Sequence, residues 1–486
     1  MKKISLLLAA LVMTAAAGLN TISAQRVWAY GLSLSQENAS YTFTFKAVAD
    51  ATEANLVFTN AESGAEVGKV AIKDVKKGDN KITLTDEQIP GANVTLNWAV
   101  ELKGAAIEAL TEVTNAETDV YKFYLPQDVV AINNTESVDF GVFLVLQATN
   151  GAKDGGSQWT KSQKAGVFAF DALLGCVNMD TAGILPANVT IGKRMEMHRM
   201  AVDSKDNVYI ARNLAPTAVW KFGASDEEAV NVVAGIEEIT LANSICIDEN
   251  DVLYVMENAN TETGGTIYKI ENGKATKIIQ STVWAHADNS MASDGRGGLW
   301  VAQHRWGIDK YNLLTHINAK GEIDYAVNGS ADDAIKAMFV FNEKINASYR
   351  GQMAYDTRHD VLGFGGQTVV TTFNVTYDAT TGVPTLTKGV QTPAMGTNID
   401  GVAFDYAGDL LVVSASVERL YKYAMPTTDN SIVVPAQKSQ TIVKSTGTFV
   451  DNTEVAMPQV QKVVRNGQVY VVRDGVMYDM MGKVVE

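Results

Sequence analysis

His198, Asn243, Asn289, Gly351 and Asp400 share one position: each stands five residues ahead of an aspartate that opens a recurring phrase in the chain. Amide and carboxylate oxygens are hard donors of the kind that a divalent cation such as calcium takes, and an imidazole beside them can orient a water or a ligand. If the fold gathers these positions, Asn243, Asn289 and Asp400 make a ring of oxygen ligands, with Asp400 as its charge. Arg350, and Arg305 with Trp306, can line the same mouth and meet an anionic or sugar ligand through bidentate hydrogen bonds or stacking. Asn, Asp and Gly are also ordinary residues where a loop enters a strand, so turn chemistry is the competing reading of the same positions. The recurring aspartates themselves read as turn formers, and His286, His304, His316 and His359 have no mutual spacing for a metal or a proton relay. The chain contains no GxSxG, P-loop or HExxH pattern, and GFGGQT at 363 follows no βαβ unit.

A repeat is what would bring such residues together. Aligned on its aspartate, the phrase reads MHRMAVDSKDNVYIA, LANSICIDENDVLYVM, ADNSMASDGRGGLWVA, YRGQMAYDTRHDVLGF and NIDGVAFDYAGDLLVV. The anchors are Asp203, Asp248, Asp294, Asp356 and Asp405, which subtraction places 45, 46, 62 and 49 residues apart. The copies close on an aromatic-lysine-apolar tag: VWKF at 219, IYKI at 267, LYKY at 420 and a relaxed IDKY at 308. A period in the forties, made of strand, polar turn, strand, loop and strand, is the signature of propeller blades, because one small sheet buries both faces only when neighbours stack on it. Two strand-like runs within residues 138–171 supply a sixth blade. The long interval before Asp356 holds ADDAIKAMFVFNEKI, whose apolar spacing is helical and marks an insertion.

The flanks read differently. MKKISLLLAALVMTAAAGLNTISAQ has two lysines, an apolar run and small residues up to Ala24, the layout of a secretory signal over residues 1–24, leaving no membrane span in the mature chain. Residues 25–125 carry short alternating runs such as YTFTFKAV and KITLTD, separated by Asn, Gly and Asp, which predict a β-sandwich. The propeller then occupies 126–425, a polar tether 426–459, and a short β-hairpin segment 460–486, with Asn466-Gly467 and Asp474-Gly475 as turns. That segment either packs against the body or frays, or serves in sorting. Forty basic residues against 55 acidic ones give 40 − 55 = −15, which excludes nucleic acid as a partner. Of two cysteines, Cys246 lies in the apolar run SICID and reads as a buried free thiol rather than half of a disulfide with Cys176.

Three resemblances attach to these stretches. HADNSMASDGRGGLWVAQ and NIDGVAFD resemble the asparagine- and aspartate-bearing strands of the gluconolactonase and regucalcin family, NHL-like six-bladed propellers with a divalent cation in the channel. The resemblance implies metal contacts by Asn289 and Asp400, and a part for Asp400 in hydrolysis. His198 stands where that family has a glutamate and Gly351 where it has a second asparagine, while Asn243 comes from a blade that the family does not use for metal. The LVFTN to KITLTD stretch resembles bacterial immunoglobulin-like modules. The ending VQKVVRNGQVYVVRDGVMYDMMGKVVE resembles sorting segments of Bacteroidetes proteins exported by the type IX system. The expected molecule is all-β: an immunoglobulin-like sandwich, a six-bladed propeller and a C-terminal hairpin segment. The expected role is that of an exported, secreted or surface-attached, non-catalytic recognition protein for an extracellular glycan, peptide or protein. A calcium-dependent lactonase-like hydrolase, with Asp400, Asn289, Asn243 and His198 around the ion, is the alternative.

Overall fold

Short apolar runs punctuated by Asp, Asn and Gly bury themselves as small stacked sheets. The computed structural model of the chain describes residues 25–114, 121–147, 165–175, 184–189, 197–223, 225–284 without 261–262, 288–304, 313–327, 353–444 without 367, 461–465, 468–473, 476–478 and 485. Among them six antiparallel sheets follow one another along the chain. Blade one is Pro126–Ala131, Phe143–Gln147 and Gly166–Phe170. Blades two to five open with inner strands Met197–Val202, Ala242–Ile247, Asp288–Ser293 and Met353–Asp356, each followed by three further strands. Blade six is Gly401–Phe404, Leu410–Ser414 and Arg419–Ala424. The six inner strands stand side by side in a closed ring, blade six against blade one.

Each gap in the ring is filled by its own apolar core. Leu146 and Ile210 meet between blades one and two, Tyr209 and Ile245 between two and three, and Met256 and Val301 between three and four. Trp300 and Leu362 fill the next gap, Val370 and Val402 the one after, and Phe168 with Leu411 closes the circle. Both faces of every sheet are therefore covered, the condition that the repeat period implied.

Two boundaries differ from the sequence reading. The outer strand of blade six is Thr111–Glu112, from the stretch assigned to the sandwich; Arg419 Nη2 donates to Glu112 Oε1 at 2.7 Å across this pairing. The expected tether contributes Ser431–Pro435 and Ile442–Lys444, both paired to Val94–Lys103. As edge strands they tolerate Pro435 and polar residues that a central strand would not, which is why composition hid them. With these additions the N-terminal unit is a two-sheet sandwich around Phe43, Phe58 and Trp98. The C-terminal segment forms a three-stranded sheet, Gln461–Arg465, Gln468–Arg473 and Val476–Tyr478. Its two turn dipeptides, the leader 1–24, the insertion at 331–345, Cys176 and the IDKY tag lie outside the described residues. Cys246 is buried and free.

The recurring aspartates build the turns after the inner strands. Asp203, Asp248, Asp294 and Asp405 each accept backbone N–H groups two and four residues on, at 2.7–3.0 Å. The residue three places on, Asp206, Asp251, Gly297 or Gly408, has positive φ, so the turn needs Asp, Asn or Gly there. The tag lysine completes the device: Lys221 lies 3.2 Å from Asp203 and Lys422 lies 2.7 Å from Asp405.

Blade four replaces that lysine by His316 on Leu313–Ile317. Its Nε2 lies 3.0 Å from Asp294 and its Nδ1 2.6 Å from Asp324, an arrangement that suits the doubly protonated ring. Burial works against that charge, but hydrogen bonds to the two carboxylates outweigh it and hold the His316 pKa above its ordinary value. A raised folded-state pKa contributes stability that is complete below about 6.5 and is lost as pH rises through the folded value. Denaturation curves from pH 6 to 9 should show His316→Gln with a flatter pH profile than the wild type. Identical slopes would remove this role.

Candidate functional site

Each inner strand starts at one mouth of the ring and ends at its turn, so His198, Asn243, Asn289 and Asp400 stand at the first mouth. The sandwich covers the opposite end: Trp28, Tyr30 and Val434 pack with Phe140, Ala172 and Ala407, residues of turns and strand ends on that side. The strand-start mouth faces away from it.

A cavity of about 250 Å³ lies inside the ring, lined by residues of all six inner strands. Two of its lining residues are charged and almost fully enclosed: Asp128 on blade one is 5% exposed and Arg199 on blade two 3%. Asp128 Oδ2 accepts the Met200 N–H at 2.7 Å and Oδ1 the Val129 N–H at 2.9 Å, so this side chain ties two blades as well as lining the cavity. Asn133 makes the corresponding tie to blade six, donating to the Phe404 carbonyl at 2.9 Å. Gly401 permits that close approach; a Cβ there would stand 2.7 Å from the Asp128 Cα and the Val129 nitrogen.

Of the eight candidate positions, two are placed with their side chains. Asp400 is buried, its Oδ2 accepting the Ala415 N–H at 2.7 Å. Asn243 is fully buried at a register shift between Ala242 and Ser244, and neither its Oδ1 nor its Nδ2 has a hydrogen-bond partner. The adjacent Ser244 Oγ is likewise buried and unpartnered. His198 and Asn289 sit in the inner strands Met197–Val202 and Asp288–Ser293 as expected, but their side chains, and all of Arg305, Trp306, Arg350 and Gly351, lie outside the described residues.

Asp128, Arg199 and Ser244 were missed by the sequence reading. Arg199 and Ser244 stand four residues ahead of their aspartates, one place beyond the offset considered. Blade one has Ile132 where the others have aspartate: its N–H bonds the Val142 carbonyl as the Asp203 N–H bonds that of Asn207. An alignment on aspartate therefore could not find Asp128. Cys246 also lines the cavity, and burial, reinforced by the Asp248 charge, raises its thiol pKa, which makes it a packing residue rather than a nucleophile.

The oxygen donors placed at this mouth are the Asn243 carbonyl and the Asp400 carboxylate. Calcium takes roughly six to eight oxygens, and among the described residues no group of three or more His, Cys, Asp or Glu is arranged to hold a metal ion. The Asn289 side chain, the third donor of the expected ring, lies outside the described residues, so these two are the part of the ring that is placed, and no reaction step is routed through an ion.

No family model and no curated protein matches the chain. Among solved structures it is similar to a protein of unknown function from Bacteroides thetaiotaomicron, at 11% identity and a TM-score of 0.41, over 82% of this chain and 98% of that one. It is also similar to a structure designated a gluconolactonase, at 10% identity and a TM-score of 0.40, over 67% and 95% of the two chains. A calcium-binding regucalcin from Agrobacterium tumefaciens gives 11% identity and a TM-score of 0.36, over 63% and 92%.

Proposed function

We propose that the protein is an exported, non-catalytic recognition protein whose propeller holds a small polar ligand, or the polar end of a glycan or peptide, at the strand-start mouth. Export rests on the N-terminal lysine-apolar-small-residue layout. The observation that carries the binding reading is Asn243. Buried amides are nearly always paired, and leaving one unsatisfied costs roughly 1–3 kcal/mol. A donor and an acceptor kept unpaired beside an unpaired Ser244 hydroxyl are what a site for a hydroxyl- or amide-bearing ligand presents. The cavity of about 250 Å³, lined on the same strand by the next residues, Ile245, Cys246 and Ile247, suits one sugar ring or one amino-acid-sized group, which reaches Asn243 and Ser244 only if their enclosure opens.

Asn243→Leu tests this directly. The substitution keeps the branched outline of the side chain and removes the unpaired groups, so the free protein should gain about 1 kcal/mol in urea denaturation where the added methyl bulk is accommodated. A thermal-shift panel of monosaccharides, sugar acids and dipeptides should stabilise the wild type and not the variant. A structural Asn243 gives the opposite result, a destabilised variant whose ligand shifts are unchanged.

The lactonase-like hydrolase is favoured by one observation, that Asn243, in the inner strand Ala242–Ile247, and Asp400, just ahead of the inner strand Gly401–Phe404, stand at the same offset from their turns. Its test is melting in calcium against chelator. Saturation a hundredfold above the dissociation constant adds about 2.7 kcal/mol, and Asp400→Asn should abolish that gain if the carboxylate binds the ion.

A further inference from the structure

Blade six meets the start of the sandwich through a charge cluster unlike any other turn in the ring. Asp409, fully buried, lies in the turn opened by Asp405, its N–H donating to Asp405 Oδ1 at 2.9 Å. Lys422, on the third strand of the blade and also buried, stands 2.7 Å from Asp405 Oδ2 and 3.8 Å from Asp409 Oδ2. Apart from this lysine, neither of these two oxygens has a hydrogen-bond donor. From the sandwich side, Arg26 brings its Nε to 3.9 Å from Asp409 Oδ1 with no partner of its own, and that oxygen accepts the Met425 N–H at 3.2 Å. The groups facing Asp409 are thus Asp405 from its own turn, Lys422 from the third strand and Arg26 from the N-terminal segment; Asp171, farther off, acts on Lys422.

One lysine cannot neutralise two enclosed carboxylates. Arg26 is the second cation, and it begins the segment that seats Val27 N–H on Asn430 Oδ1 at 3.1 Å and Trp28 in the junction core. We propose that Asp409 is a pH-read latch: its ionisation and the docking of Arg26 at the sandwich–propeller junction depend on each other.

The direction follows from the surroundings. Burial and then the Asp405 charge raise Asp409 to about 7, against the pull of Lys422 and Arg26. A carboxyl raised in the folded state binds protons that the unfolded chain releases from about pH 4 upward, so stability falls as pH rises to about 7. Removing Arg26 removes an attraction felt only by the ionised form, so the fall must extend to higher pH; by reciprocity, ionised Asp409 holds Arg26 more firmly.

The test is urea denaturation of the full chain from pH 5 to 9. Asp409→Asn should lose the part of the wild-type slope that lies below about pH 7, and Arg26→Gln should move the end of that slope up by roughly one pH unit. Arg26→Lys should restore it. Parallel wild-type and Asp409→Asn profiles would overturn the latch, as would an end-point unmoved in Arg26→Gln. If Asp409→Asn does not fold, the Gln and Lys variants at position 26 decide between the same two results.

Discussion

Lys422→Met is expected to cost roughly 3–5 kcal/mol in urea denaturation at neutral pH, close to what many domains have to lose. Lys422 is fully buried on Arg419–Ala424 and is the nearest cation to Asp405 and Asp409. Burial alone would lower its pKa, but the two carboxylates hold it above the ordinary lysine value, so the cation is part of the folded state. Methionine fills much of the same space, so the loss measures charge rather than volume. It leaves Asp405 with the Ala407 and Asp409 amides as its hydrogen-bond donors in the turn. Adding Asp405→Asn should recover part of the loss, because a buried pair removed whole costs far less than one left half broken. Lys103→Met is the control. Its pair with Glu53 has side chains 47% and 66% exposed, where about 0–1 kcal/mol is expected. A loss at Lys422 no larger than at Lys103 would show that the tag lysine is not the tie drawn here.

That tie also shows why architecture was more legible than chemistry. The tag lysine was visible in VWKF and LYKY as a repeated letter, yet its reason, an aspartate across two strands of the same blade, is a pairing that linear spacing does not express. Blade four shows the same limit: among the described residues the cation that reaches Asp294 is His316, in a strand with no lysine, while IDKY lies outside them. Blade count survived this limit, because six inter-blade cores need only apolar runs at the right period. The cavity did not survive it. Asp128 and Arg199 are 71 residues apart by subtraction and line one cavity only because the ring brings blade one beside blade two. Asn243 was found because it shares an offset with Asp400. That its amide is fully enclosed and unpaired is a property of packing that no motif encodes.

Trp28→Ala should cost roughly 3–5 kcal/mol, the range for a large aromatic removed from a core, and should change how the molecule melts. Trp28 is fully buried, with ring centroids of Tyr30, Phe140 and Tyr406 at 5.9, 5.6 and 5.7 Å. The first belongs to the sandwich and the other two to propeller turns, so one side chain holds both units. The backbone reinforces the joint: Ile107, leaving the sandwich, and Thr427, returning to it, exchange two hydrogen bonds of 2.8 Å. The chain thus leaves the sandwich, closes blade six with Thr111–Glu112, circles the ring and comes back to pair Ser431–Pro435 with Val94–Lys103. A unit whose edge strand follows the whole propeller in sequence cannot fold ahead of it as an independent spacer. Calorimetry should therefore give one transition for the wild type. Trp28→Ala should split or broaden it, with the sandwich melting first, because the ring keeps its six inter-blade cores while the sandwich loses the packing that seats it. Two well-separated transitions in the wild type, unaltered by the substitution, would mean that the aromatic cluster lies between the units without coupling them.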